Sequence, residues 1–261
     1  MAEISVLGPF SASVDGVSIV PSATKPRQVL ALLALQQDRI TTCSVLMEEL
    51  WGENIPKSAR TVLQTYIVQL RKRIAAALGR GDTGPAKKML VTRQDGYLLR
   101  SDSGWRDYEE FDRLVDRGRK AATRGDDRDA SENYRRALGL WKGPALVDVR
   151  VGSMLELERL RLEENRMAAL EQRIDADLRL GLAATLIPEL SVLAARYPLH
   201  ENFCAQLMTA LHRAGNSWRA LEAYQRLRHS LARELGVEPS VRAQRVRQSL
   251  LAGEDPAVHV L

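Results

Sequence analysis

The sequence predicts a mainly α protein in two parts: an α+β N-terminal domain over residues 1–101 and an all-α domain of repeated helices over 107–252, with a tail at 253–261. Three observations carry this. Strand-forming segments are confined to about the first hundred residues. Basic charge is concentrated, with ten Lys/Arg against two Asp/Glu in residues 57–100 and 25 of each sign in 101–261. After residue 125, Gly, Ala and Tyr recur at fixed offsets. A chain of 261 residues is long enough for two cores. A composition of 45% hydrophobic and 27% charged residues is that of a globular chain.

The elements follow in order. Residues 3–7 and 11–14 are short and β-prone, and 17–20 pairs back across Asp15-Gly16, a strong hairpin signal. Thr24 and Pro26 open a helix whose apolar face is Val29, Leu30, Leu32 and Leu33. Residues 39–42 form a β-prone link. Thr42 caps a second helix holding Val45, Leu46 and Leu50, which stops at Trp51-Gly52. Ser58 is positioned to cap a third helix with Leu63, Ile67, Leu70 and Ile74 on one face. Residues 79–88 read as a polar loop. Two strands follow, 89–92 and 97–100, closed by Arg93-Gln94-Asp95-Gly96. Residues 102–106 read as a domain boundary after which strand signals end.

About seven helices are expected beyond it. Gly125, Ala130, Tyr134 and Ala137 stand at offsets 0, 5, 9 and 12, which Gly215, Ala220, Tyr224 and Leu227 repeat. Gly181, Leu186, Leu190 and Leu193 follow the pattern more loosely, with Pro198 after them. The 34 residues from Gly181 to Gly215 are the tetratricopeptide period. Small residues let paired helices approach, and the Tyr fills the groove between them. The pattern predicts stacked helix hairpins.

A basic helix followed by a basic hairpin is the apparatus with which a winged helix holds duplex DNA. On the third helix, Thr61, Thr65, Val68 and Lys72 fall opposite the apolar stripe, flanked by Lys57, Gln64 and Gln69. A solvated helix usually pairs Glu with Lys at i, i+4, yet no acid occurs from residue 55 to 81. Thr61, Gln64, Thr65, Val68 and Gln69 are candidates for base edges. Lys57, Arg60, Arg71, Lys72 and Arg73 are candidates for phosphates. Arg93, at the hairpin tip, is placed for an adjacent minor groove or backbone. Lys25 and Arg27, at a helix N-terminus, are further phosphate candidates. Tyr97 is expected to pack the wing.

Other chemistries find little support. Cys43 and Cys204, far apart in sequence, read as reduced, buried thiols. His200-Glu201-Asn202-Phe203-Cys204 begins like a zinc-protease helix but ends in Cys. Gly79 and Gly84 have phosphate-loop spacing, but Pro85 stands where Lys must be. No metal, cofactor or enzymatic activity is expected. Trp51, Trp105, Trp141 and Trp218 are expected in core or interface packing. No apolar run approaches 18 residues, and Met1-Ala2-Glu3 lacks a basic leader, so a cytoplasmic location is expected.

Lys25-Pro26-Arg27, Glu49-Leu50-Trp51-Gly52, the stretch 60–73 and Asp95-Gly96-Tyr97 together resemble the OmpR-type winged helix. Tyr108-Glu109-Glu110-Phe111, the run 137–144 (Ala-Leu-Gly-Leu-Trp-Lys-Gly-Pro), the run 206–211 and the run 234–239 resemble a bacterial transcriptional activation domain. In this order, over about residues 4–250, they resemble the short form of the Streptomyces antibiotic regulatory protein family. The resemblance implies an activator of a secondary-metabolite (antibiotic) gene cluster. It implies binding to double-stranded promoter DNA at direct repeats near the −35 element and recruitment of RNA polymerase through its sigma factor and other subunits. A homodimer on DNA, two protomers side by side on the repeats, is a separate expectation. It also implies a polymerase contact in the loop at 52–57, where Glu53 is the charged candidate. The alternative is a helical-repeat scaffold for protein partners with nonspecific DNA affinity.

Overall fold

The computed structural model describes residues 2–36, 38–79, 83–100 and 104–256. Parts of the 79–88 loop and the 102–106 boundary, and most of the 253–261 tail with His259, lie outside the described residues. The chain forms two compact units, Met1–Arg113 with Gly139–Arg166 and Leu114–Leu138 with Met167–Leu261.

In the first unit, β1 (Ala2–Ser5), β2 (Ser11–Val14) and β3 (Val17–Ser18) form an antiparallel meander. Val14 pairs with Val17 across the two-residue turn. Asp15 and Gly16 both take positive φ there, 49° and 78°, as a tight hairpin with right-handed strand twist requires. Helix α1 (Thr24–Leu35) buries Val29 to Ala34 continuously. Strand β4 (Thr41–Thr42) leads into α2 (Cys43–Trp51), capped by the Thr42 hydroxyl, which accepts from Val45 N at 3.3 Å.

Helix α3 (Ala59–Ala77) follows, with Leu63, Ile67, Leu70 and Ile74 each at most 1% exposed. Burying each contributes about 1.5–3 kcal/mol. Ser58 stands at its N-cap, but its side chain makes no capping bond. Its ψ of 3° is not the extended conformation that aims a hydroxyl at the first-turn amides. The expected polar loop contains a helix, α4 (Gly84–Met89), started by Pro at its first turn and anchored by fully buried Ala86. Strands β5 (Leu90–Arg93) and β6 (Gly96–Leu99) form the terminal hairpin, and β6 also pairs with β4. A Cβ on Gly96 would collide with the Thr41 carbonyl, so only glycine admits this pairing.

Strands end within the 102–106 boundary, but the boundary itself holds one that the sequence did not signal. Trp105–Arg106 forms β7, parallel to β1 at Glu3 and Ile4. Two residues have no readable periodicity, so long-range pairing alone makes this strand. Helix α5 (Asp107–Thr123) starts there. Its Asp107 carboxylate, 3% exposed, accepts the amides of Val6 and Leu7 at 2.9–3.0 Å. Burial raises the Asp107 pKa against the pull of those amides.

Residues 139–166 complete this unit. Trp141 is buried edge-on to Phe111 at 5.7 Å. Helix α7 (Ser153–Arg179) is capped by a residue of α2. The Glu49 carboxylate, 3% exposed, accepts from Gly152 N (2.6 Å), Met154 N (2.9 Å) and Leu155 N (3.2 Å), and from the Gln28 amide (2.9 Å). A carboxylate at a helix N-terminus satisfies orphan amides and faces the positive end of the dipole. A Cβ on Gly152 would collide with the Glu49 carbonyl.

The second unit is helical throughout its described residues. It contains part of α5, α6 (Asp127–Leu138), the end of α7, α8 (Ala183–Arg196), α9 (Glu201–Arg213), α10 (Ser217–Leu235) and α11 (Val241–Ala252). Seven helices from α5 to α11 match the sequence expectation. The repeat glycines Gly125, Gly181 and Gly215 share left-handed φ of 76°, 79° and 77°, each turning the chain between paired helices. Tyr134 and Tyr224, at the same offset from Gly125 and Gly215, are 1% and 2% exposed. A Cβ on Gly118 would lie 2.7 Å from the Tyr134 ring. Beside it Asp177, fully buried, accepts from Ser131 (2.5 Å), Arg135 (2.6 Å) and Arg173 (3.1 Å), so the buried charge is paired. Of the tryptophans expected in core or interface packing, Trp141 is buried, whereas Trp105 and Trp218 are 42% and 68% exposed. A two-residue edge strand and the first turn of α10 leave their rings uncovered.

Candidate nucleic-acid interface

With its apolar stripe buried, α3 presents the opposite side to solvent. Thr61, Gln64, Thr65, Gln69 and Lys72 are exposed, and Val68 is 49% exposed. A half-exposed valine among amides and hydroxyls gains nothing from water, whereas its methyls suit a thymine methyl. Thr65 donates its hydroxyl to the Thr61 carbonyl at 3.1 Å, which fixes its rotamer.

The cations around this face differ in their engagement. Lys57, Lys72 and Arg93 are exposed. Arg60 reaches Asp95 of the hairpin turn at 3.2 Å, with both side chains about two-thirds exposed, a screened pair worth little. Arg73 donates to the Val20 carbonyl at 3.3 Å. Arg71 is tied most firmly. Its Nε and one Nη donate to the Leu90 carbonyl at 3.0 and 2.7 Å, and that Nη also donates to the Thr92 hydroxyl at 2.8 Å. These bonds join α3 to β5. Partial burial lowers the Arg71 pKa, but a guanidinium stays charged.

Tyr97 and Cys43 lie beneath the hairpin, both buried. The amide of Cys43 donates to the Asp95 carbonyl at 2.8 Å. Burial raises both pKa values, so phenol and thiol stay neutral at physiological pH and add no negative charge beneath this basic surface.

Other predicted residues stand on different supports. Lys25 lies over the Trp51 ring, its Nζ 4.4 Å from the centroid. Arg27 donates to the Pro21 carbonyl at 3.1 Å and pairs with Asp148 at 3.0 Å. Glu53 is exposed in the segment between α2 and α3. The brace by Arg71, the Arg27–Asp148 pair and the Glu49 cap had no sequence signal. Each joins residues between 19 and 121 positions apart.

Among the described residues no group of His, Cys, Asp or Glu is arranged to hold a metal. His200 instead stacks on Phe203 at 4.1 Å and meets Glu171 at 3.1 Å. No helix among the described residues is long and apolar enough to cross a membrane.

An exposed, acid-free helix face braced to a two-stranded wing defines an OmpR-type winged helix, and comparison with known proteins agrees. A family described as "Transcriptional regulatory protein, C terminal" matches residues 19–99, and one described as "Bacterial transcriptional activator domain" matches residues 106–251. The protein is a transcriptional regulator. Regulatory protein DnrI of Streptomyces peucetius is 50% identical over 256 residues, covering 98% of this chain and 94% of its own. Transcriptional regulator RedD of Streptomyces coelicolor is 36% identical over 258 residues, 99% of this chain and 72% of its own. Regulatory protein AfsR of the same organism is 37% identical, but this chain spans 24% of its length. The structure of Mycobacterium tuberculosis EmbR in complex with a low-affinity phosphopeptide superposes with a TM-score of 0.88 at 30% identity, over 99% of this chain and 66% of that one. The chain belongs to the Streptomyces antibiotic regulatory protein family.

Proposed function

We propose that the protein is a sequence-specific activator of a secondary-metabolite gene cluster, with its DNA reader in residues 1–101 and its activation domain in 107–252. The observation that carries this is the outward face of α3: amides, hydroxyls and a valine, exposed together and with no acid on the helix. Thr61, Gln64, Thr65, Val68 and Gln69 meet base edges in the major groove. Lys57, Arg60, Lys72 and Arg73 neutralise phosphates, Arg60 exchanging its exposed Asp95 partner for one. Arg71 acts chiefly by holding β5 against α3, which sets Arg93 over the neighbouring backbone or minor groove. Lys25 and Arg27 add contacts at the α1 N-terminus.

Two protomers stand head to tail on direct repeats near the −35 element. Direct repeats demand this arrangement because a two-fold axis would pair inverted sites. The segment carrying Glu53 meets RNA polymerase, including its sigma factor. Support comes from the resemblance of the chain to named regulators along almost its whole length.

The test is retention of sheared genomic DNA by the purified protein at moderate salt, followed by sequencing. A few promoter fragments sharing direct repeats about one helical turn apart are the expected result. Uniform, salt-labile retention would sink the reading in favour of a scaffold with nonspecific DNA affinity. Sedimentation on one-site and two-site duplexes tests the pairing, and one protomer bound to each would overturn it.

A further inference from the structure

A groove of about 730 Å³ opens within the second unit and is lined by none of the residues assigned to DNA. Helix α9 gives its floor with Cys204 and Leu207, both at most 5% exposed. One wall is α8, which offers the small side chains of Ala194 and Ala195. The other is α10, which lines the groove from Arg219 to Ser230, a length of about 16 Å at 1.5 Å per residue.

The rim is basic. Arg219, Arg226 and His229 stand against a single acid, Glu222. Arg226 meets Glu222 at 3.5 Å with both largely exposed, and Arg219 has no ion pair among the described residues. The Cys204 thiol is pushed up to about 12 by burial and is committed to the Ala223 carbonyl at 3.5 Å, so the floor offers packing rather than reactivity.

We propose that this groove docks one helix of a partner protein, about three turns long, apolar on its buried side and flanked by Asp or Glu. The small residues of the α8 wall let a helix backbone come close, as ridge-into-groove packing requires. A strand has no place here, because the described part of this unit offers no sheet edge to extend. Acidic flanks answer Arg219 and Arg226 and steer the encounter.

The experiment uses the full chain and two synthetic helical peptides of about four turns. Both carry the same Leu/Ala face, one with Glu flanks and one with Lys flanks. By calorimetry the Glu peptide should bind saturably and at least tenfold more tightly than the Lys peptide. Ala194→Arg should weaken the Glu peptide at least tenfold while circular dichroism and DNA retention stay as in the parent. Arg219→Glu combined with Arg226→Glu, both on the surface, should invert the preference. Equal binding of the two peptides, or binding indifferent to these substitutions, would overturn the proposal. A concentration-dependent dimer abolished by Ala194→Arg would assign the groove to a second copy and also overturn it.

Discussion

Helices α3 and α10 are each 19 residues long and each carry four Lys or Arg, yet they treat that charge in opposite ways. In α10, three of the four arginines meet a carboxylate: Arg226 with Glu222, Arg228 with Glu238 and Arg233 with Glu234. In α3 the one ion pair among the described residues comes from outside the helix, between Arg60 and Asp95. Arg71 and Arg73 are held by backbone carbonyls, which orient a cation without neutralising it. Equal numbers of cations therefore give a largely compensated helix where Glu222 and Glu234 share it, and an uncompensated one where no acid does. What distinguishes α3 is how many of its cations lack an anion, not how many it carries.

That contrast breaks or sharpens under measurement. The largest effect should be that of salt. With about six to eight phosphate contacts, log affinity for DNA should fall against log salt with a slope of about −5 to −7, roughly 10³-fold or more between 50 and 200 mM. Fluorescence anisotropy measures it, and a slope shallower than about −3 would remove the uncompensated cations of α3 from the phosphates. Next is charge reversal. Lys72→Glu should weaken all duplexes alike by about tenfold or more, whereas Arg226→Glu should leave DNA affinity unchanged. Comparable losses from both would erase the distinction between the helices.

Arg71→Ala tests orientation. Loss of charged hydrogen bonds to Leu90 and Thr92 should cost about 1.5 kcal/mol in urea unfolding and speed amide exchange in β5 and β6. Unchanged exchange would show that the hairpin stands without its brace. Gln69→Ala should alter base preference at one operator position by about 1 kcal/mol, read by selection from a randomised duplex pool. Smallest is Glu222→Ala in α10. An exposed pair of this kind should change the unfolding free energy by less than about 0.5 kcal/mol.

Local periodicity made much of this fold legible. The 4, 3, 4 spacing of Leu63, Ile67, Leu70 and Ile74 divides α3 as the structure divides it, and Asp15-Gly16 turns where a hairpin needs positive φ. The repeat glycines are readable because a left-handed residue recurs at the α5–α6, α7–α8 and α9–α10 turns. Helix α4 escaped because six residues carry little pattern, although Pro85 marked its start. Strand β7 escaped because its only support is β1, about a hundred residues earlier. In the interface, sequence separated the exposed from the buried side of α3. It gave no means of telling Arg71, bound to a carbonyl, from Lys72 beside it. Adjacent residues of the same charge point about 100° apart on a helix, and only the arrival of β5 gives one of them a partner.

The Glu49 cap has a consequence for anyone exchanging parts between relatives. A chimera that swaps only the first hundred residues would set a foreign α2 against the resident start of α7. The amides of Gly152, Met154 and Leu155 need a carboxylate at the place of Glu49, and the glycine at 152 needs an α2 close enough to require it. Each orphaned buried group would cost about 1–3 kcal/mol. The transplantable part is thus discontinuous in sequence: the first unit joins residues 1–113 to 139–166, and a seam drawn near residue 100 cuts through a hydrogen-bonded joint.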